Sequence, residues 1–240
     1  MECPYLLLDA GGTLLFPDQE LIANVAASEG SVLDPERVYE AHFRMLHQYD
    51  SHYRAVSAFP PFSMRSFYRD ILMLAGAPEE IAERAVDTLM VRHEEISLWT
   101  YTKPWVEETL AALKRSGVRM AVISNSDGRV FQQLDACGIT PYMEAIFDSH
   151  LVGFEKPDRR FFDHALKELG LDPAQAVYVG DFFHLDVLGA NGAGIGALHL
   201  DPIGAYTDWP GVHLRDIRAL PECLASVVHH PAGFDLFPRL

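Results

Sequence analysis

Four short apolar runs in this chain each stop at a group able to bind an ion. Leu6-Leu7-Leu8 ends at Asp9, Val122-Ile123 at Ser124, Ile146-Phe147 at Asp148, and Val177-Tyr178-Val179 at Gly180-Asp181. Apolar runs this short, without polar alternation, read as strands buried on both faces. Helical patterns separate them: one ends near Gly117, one precedes Ala145, one covers Arg159 to Leu169, and one follows Asp186. Gly196-Ala197-Leu198-His199 reads as the final strand. Strands alternating with helices predict a doubly wound α/β fold, a parallel sheet covered on both faces. Ligands in such sheets bind beyond the carboxyl ends of the strands. The residues at which the runs stop are therefore the ones to read for chemistry.

Between the first strand and the rest lies a segment, residues 16–99, with no strand pattern. Asp34-Pro35 reads as an N-cap with proline at the first helical position. Val38, Ala41, Met45, Leu46 and Tyr49 follow at helical spacing, as do Ile81, Ala85, Val86 and Leu89. Phe59-Pro60-Pro61 divides the block. The expected organisation is an α/β core of residues 1–15 and 100–240 with an all-helical insertion of residues 16–99. Its point of insertion predicts that this cap covers the C-terminal end of the first strand.

Composition narrows the partners. Lys and Arg number 19 against 34 Asp and Glu, a net charge of −15, which repels a nucleic-acid backbone. No apolar run approaches the roughly 18 residues of a membrane span. Cys3, Cys137 and Cys223 are scattered without metal spacing, as suits free thiols in a reducing cytoplasm. A small-molecule substrate is the expected partner, and the oligomeric state is left open.

Carboxylates gathered at one sheet edge repel each other unless a hard divalent cation sits among them. Asp9, Asp148, Asp181 and Asp186 all fall at this edge, and two carboxylates with a main-chain carbonyl and waters would suit Mg²⁺. Ser124 offers a hydroxyl and Lys156 a positive charge, and the Gly11-Gly12 turn offers backbone N–H groups for an anion. An anion beside Mg²⁺ and a carboxylate able to attack it points to phosphoryl transfer to an aspartate. Each piece has a plainer reading. An aspartate after a strand also caps helices, Ser124 also suits a turn, and Lys156 also suits the surface. Gly192, Gly194 and Gly196 follow a helix and precede a strand, the wrong order for a dinucleotide loop. His42, His47 and His52 are spaced by five and read as a solvated helix surface.

Taken in order, these pieces resemble the haloacid dehalogenase superfamily. Asp9-Ala10-Gly11-Gly12-Thr13-Leu14 resembles its first motif and Val122-Ile123-Ser124-Asn125 its second. Lys156-Pro157 resembles the third, and the stretch from Val179 to Asp186 the fourth. The likeness is greatest to the phosphatase-like branch with a helical cap after the first motif. It implies a Rossmann-like core and Mg²⁺ as cofactor. It also implies Asp9 as nucleophile and metal ligand, with Gly11 lending its backbone carbonyl to the metal. Ser124, Asn125 and Lys156 would bind the transferring group, Lys156 also offsetting the charge of Asp9. Asp181 would ligate Mg²⁺, and Asp186 would ligate it directly or through water.

One position departs from the family pattern. Phosphatases of the superfamily carry a second aspartate two residues after the nucleophile, where this chain has Gly11. That aspartate protonates the leaving alcohol and then activates water. Three readings follow: a Mg²⁺-dependent hydrolase of substrates with good leaving groups, a carbon–halogen hydrolase, or a non-catalytic phosphate-binding protein. The dehalogenase pattern has tyrosine at position 11 and lacks the Gly180-Asp181 pair. A Schiff-base phosphonate hydrolase would need a cap lysine, and the four lysines, Lys103, Lys114, Lys156 and Lys167, all lie outside residues 16–99. Arg44, Arg54, Arg65 and Arg69 are the candidate anion contacts of the insertion.

Overall fold

The computed structural model describes residues 4–58 and 63–228. They form two compact units, one joining the chain up to Leu15 with the chain from Thr102 onward, the other being Phe16–Tyr101. Among the described residues, no helix is long and apolar enough to cross a membrane.

The described residues of the second unit form four helices: α1 (Gln19–Ser28), α2 (Pro35–Val56), α3 (Met64–Ala75) and α4 (Glu79–Glu95). Their starts follow from local chemistry. Asp18 accepts from Leu21 N at 2.9 Å, Asp34 accepts from Glu36 N at 3.0 Å with Pro35 opening α2, and Ser63 and Ser66 cap each other at α3. Residues recurring every three or four positions are buried between the helices. They include Val38, Ala41 and Met45 of α2, Phe67, Ile71 and Leu72 of α3, and Ala82, Val86 and Leu89 of α4. The unit's two ends are stitched together by Phe16 N donating to Tyr101 O at 2.8 Å and Asp18 N to Leu98 O at 3.0 Å. The expected break at Phe59-Pro60-Pro61 lies outside the described residues.

Two expectations about this unit need correction. His42 is buried, not solvated: it stacks on Phe43 with ring centroids 4.8 Å apart and stands edge-on to Phe67 and Trp99. Burial pulls its imidazole down to about 3, so the ring is neutral. Spacing along α2 could not reveal an aromatic box whose other walls come from α3 and the segment beyond α4. Three of the four arginines considered for anion contacts are engaged with carboxylates of their own unit. Arg44 pairs with Glu40, Arg65 with Glu83 and Asp87, and Arg69 with Asp70 and Glu83.

The first unit is the α/β fold. Its elements run β1 (Tyr5–Leu8), α5 (Pro104–Arg115), β2 (Met120–Ser124), α6 (Val130–Ala136), β3 (Ala145–Asp148) and a single turn α7 (Ser149–Val152). They continue with α8 (Arg159–Leu169), β4 (Ala176–Gly180), α9 (Leu188–Gly192), β5 (Gly196–Leu200), β6 (Val212–Leu214) and α10 (Leu220–Val228). All strands are parallel, in the order β3-β2-β1-β4-β5-β6. β1, β2, β4 and β5 are buried at every residue, which is why they read as unbroken apolar runs. Among the described residues the final strand is β6, not β5. Val212-His213-Leu214 is too short and too partly exposed to leave a periodic signal, and pairing with Leu198–Leu200 is what makes it a strand.

Candidate active site

Strand order sets the position of the site. The chain leaves β1 for β2 and β3 on one side, then crosses to β4 on the other. The ends of β1 and β4 thus form the crevice where the winding reverses, the place where open α/β sheets bind ligands. Asp9 follows β1 and Asp181 follows β4, and Asp9 N donates to Val179 O at 2.9 Å, continuing the pairing past Leu8.

Four of the residues singled out in the sequence meet there. Carboxylate oxygens of Asp9, Asp181 and Asp186 lie within 4.8 Å of one another, and all three residues are buried. Lys156 reaches in from the loop before α8, itself only 4 % exposed. Its Nζ donates to Asp9 Oδ1 at 2.6 Å and to Asp186 Oδ1 at 2.7 Å. Asp186 belongs to a single π-helical turn, Phe183–Val187, and its Oδ2 accepts from Phe182 N at 2.9 Å. With all three carboxylates ionised, one ammonium would balance only one of them in this buried site. Burial raises the Asp9 carboxyl to about 7, with Lys156 pulling against it and Asp186 adding to it. Burial and the charges of Asp9 and Asp186 hold Asp181 well above the carboxylate range. Burial works against the charge of Lys156, but Asp186 and Asp9 outweigh it and hold the ammonium firmly protonated.

Two glycines make this crowding possible. Gly12 takes a left-handed conformation (φ 70°), and a Cβ there would stand 1.6 Å from Asp181 Oδ2. A Cβ on Gly180 would stand 2.4 Å from Asp186 Oδ2. Gly12→Ala should therefore displace Asp181 and add about 1–2 kcal/mol of backbone strain. The expected result is a lower melting temperature together with weakened divalent-cation binding. Gly192→Ala, where nothing lies within 4 Å of the new methyl, should change neither. Melts and calorimetric titration of both variants check this.

The other expected residues fall as follows. Ser124 closes β2, buried, two residues past Val122, the register partner of Leu8; it stands on the neighbouring strand end, outside the hydrogen-bonded carboxylate cluster. Asn125 makes a reciprocal clamp on the backbone of Lys156: its Nδ2 donates to Lys156 O at 2.9 Å, and Lys156 N donates to its Oδ1 at 2.7 Å. The clamp holds the loop that carries Lys156. Asp148 is the helix cap of the plainer reading, accepting from His150 N at 3.0 Å and Gly128 N at 3.2 Å. Gly11 is half-buried in the turn after β1.

Tyr178 was overlooked in the sequence. Its buried hydroxyl accepts from Lys156 Nζ at 2.9 Å and lies 3.1 Å from Ile123 O and 3.2 Å from Asp186 Oδ1. The available signal was a lone tyrosine in a strand otherwise without a polar side chain, because a buried phenol needs a hydrogen-bond partner. His199 of β5 was overlooked too, its Nε2 3.1 Å from the backbone carbonyl of Asp181.

The donors offered are all oxygens, and in their ionised forms they carry two charges beyond that of Lys156, which suits one hard divalent cation such as Mg²⁺. A carboxylate held against an ammonium at the mouth of such a site can act as a nucleophile toward an anion.

Residues 5–194 match the family of haloacid dehalogenase-like hydrolases, from the first strand through the fourth motif. The chain belongs to that family. It is 30% identical over 190 residues to haloacid dehalogenase-like hydrolase domain-containing protein 3 of Mus musculus, covering 75% of this chain and 73% of the relative. It is 31% identical over 173 residues to a phosphoglycolate phosphatase of Pseudomonas syringae pv. tomato, covering 68% of this chain and 62% of that enzyme. A crystal structure of a dehalogenase superposes with a TM-score of 0.63 at 20% identity, over 93% of this chain and 98% of the other. At that identity the likeness concerns the fold alone. As a member of the family, the chain is a hydrolase on a haloacid-dehalogenase Rossmann-like core.

Proposed function

We propose that this hydrolase is a Mg²⁺-dependent phosphohydrolase of a small phosphorylated metabolite, with Asp9 as nucleophile and Gly11 in place of the usual acid/base. The observation that carries the reading is the charge count: three buried carboxylates share one lysine. The similarity to a phosphatase supports it, as does the intact Gly180-Asp181 pair. Asp9, Asp181 and Asp186, with the backbone of Gly11, would hold the cation, which when bound supplies positive charge to the phosphoryl oxygens and brings the raised carboxyls back to their ionised forms. In the same reading residues 16–99 form the cap that selects the substrate, and the free thiols of Cys137 and Cys223 belong to a reducing cytoplasm.

An Asp9 carboxylate oxygen attacks phosphorus, and the bond to the leaving oxygen breaks. Ser124 donates to the transferring group, and Lys156 holds Asp9 in place. Water then cleaves the aspartyl phosphate, releasing phosphate and restoring Asp9. Gly11 has no side chain to protonate the leaving oxygen or to draw a proton from that water. Acyl and aryl phosphates, which leave without a proton, are therefore the favoured substrates, and the covalent intermediate is long-lived.

The test uses acetyl phosphate and p-nitrophenyl phosphate with Mg²⁺, followed by acid quench and mass spectrometry. Phosphorylation of Asp9 should be found in the wild type and be absent from Asp9→Asn. Calorimetric titration of Mg²⁺ should show binding weakened in Asp181→Asn. Full activity in Asp9→Asn, or equal Mg²⁺ affinity in both proteins, would overturn the assignment. Halide release from 2-chloropropionate with no phosphatase activity would move the chain to the dehalogenases.

A further inference from the structure

We infer that Tyr178 is a positioning residue for the reaction, its hydroxyl locking the Lys156 ammonium and tying it to the end of β2. The inference rests on the phosphohydrolase reading for its kinetic consequence, but its structural part stands by itself. An ammonium has three N–H donors. Lys156 spends them on Asp9 Oδ1 at 2.6 Å, Asp186 Oδ1 at 2.7 Å and the Tyr178 hydroxyl at 2.9 Å. Two carboxylates alone would leave the third N–H of a buried ammonium without an acceptor; the Tyr178 hydroxyl, on another strand, supplies it.

The phenol in turn has one proton and two acceptors in range, Ile123 O at 3.1 Å and Asp186 Oδ1 at 3.2 Å. Ile123 is the residue before Ser124. One oxygen atom thus joins the lysine of the loop before α8, the aspartate of the π-turn, and the strand end that presents Ser124. These groups are 22, 8 and 55 residues from Tyr178 in sequence. The ring is held rigidly enough to serve: Tyr178 is fully buried, and Phe162 of α8 packs against it edge-on with centroids 5.4 Å apart. Tyr178→Phe removes the oxygen and leaves that packing in place.

The chain lends itself to a direct measurement. It has four lysines, and Lys156 alone among them is buried, Lys103 being partly exposed and Lys114 and Lys167 exposed. A buried ammonium with every N–H bonded exchanges slowly with water, so ¹⁵N-detected ammonium spectra of the wild type at neutral pH should show one protected lysine signal. Lys156→Met should remove it. In Tyr178→Phe the signal should broaden or vanish while the protein stays folded by circular dichroism. With acetyl phosphate and Mg²⁺, Tyr178→Phe should lower kcat by at least about tenfold, because a small misplacement of a catalytic group costs that much, with KM nearly unchanged. A signal equally protected in Tyr178→Phe overturns the inference, whatever the activity. So does wild-type kcat in that variant. Absence of phosphatase activity from the wild type would instead count against the proposed function, leaving the ammonium spectra to decide the role of Tyr178.

Discussion

Gly11→Asp should raise turnover of alkyl phosphates by about 10²–10⁴-fold, the range that general acid–base catalysis supplies. The substitution places a carboxyl two residues after Asp9, where phosphatases of the superfamily carry theirs. It would protonate the leaving alkoxide and then take a proton from the water that attacks the aspartyl phosphate. Alkyl phosphates have strongly basic leaving groups and need that proton. Sugar phosphates should gain most, and p-nitrophenyl and acetyl phosphate least. Backbone geometry permits the change. Of the two adjacent glycines it is Gly12 that takes a left-handed conformation, with φ 70°, and Gly11 is not among the positive-φ residues. Aspartate at position 11 therefore meets none of the left-handed strain that a side chain at position 12 would. A thermal melt first confirms that the variant folds; steady-state kinetics across a panel of sugar, aryl and acyl phosphates then give the ratio. A well-folded variant with no gain on any alkyl phosphate would count against the phosphatase reading and favour the dehalogenase or the binding protein.

The second large effect concerns stability. Lys156→Met replaces a buried ammonium by an apolar side chain of similar length and leaves three buried carboxylates facing one another. Removing one partner of a buried ion pair costs about 3–5 kcal/mol. For a chain of this size each kcal/mol corresponds to about 2–4 °C, so the melting temperature without divalent cation should fall by roughly 6–20 °C. Mg²⁺ should restore part of the loss, since a ligand that binds only the native state stabilises it, by about 2.7 kcal/mol at a hundred times its dissociation constant. The increment on adding Mg²⁺ should be larger in the variant than in the wild type, because the cation then relieves the repulsion the lysine had relieved. Differential scanning calorimetry with Mg²⁺ and with chelator reads both quantities. A variant that melts within about 2 °C of the wild type in chelator would mean that the lysine does not hold the carboxylates together.

Much of the architecture was legible because it is written locally. Strands buried on both faces must be apolar throughout, so β1, β2 and β4 appear as unbroken runs, and what stops each run stands at the sheet edge. Asp34-Pro35 caps α2 through atoms two residues apart, and α8 spans the residues its pattern indicates, Arg159 to Leu169. β6 escaped because three partly exposed residues carry no period, and His42 because its box is assembled from other elements.

The sequence by itself determined which groups stand at the strand ends, because side-chain burial has a short period and each run ends where that period breaks. It could not determine how those groups share their charges. Lys156 and Asp9 are 147 residues apart and meet because Asn125, at the end of β2, clamps the loop before α8, and β1 pairs with β2 on one side and with β4 on the other. That same pairing brings Asp181 against Gly12, and the π-turn brings Asp186 against Gly180; the need for glycine at each place is invisible until the partner is located. Asn125 and Asp148 have the composition of ligand-binding residues, yet their oxygens serve the backbone of Lys156 and the turn after β2. Tyr178 has the composition of a core residue, yet its hydroxyl bonds the buried lysine. A hydrogen bond is decided within a few tenths of an ångström, and only the packed sheet, with its strand order and register, sets distances that finely.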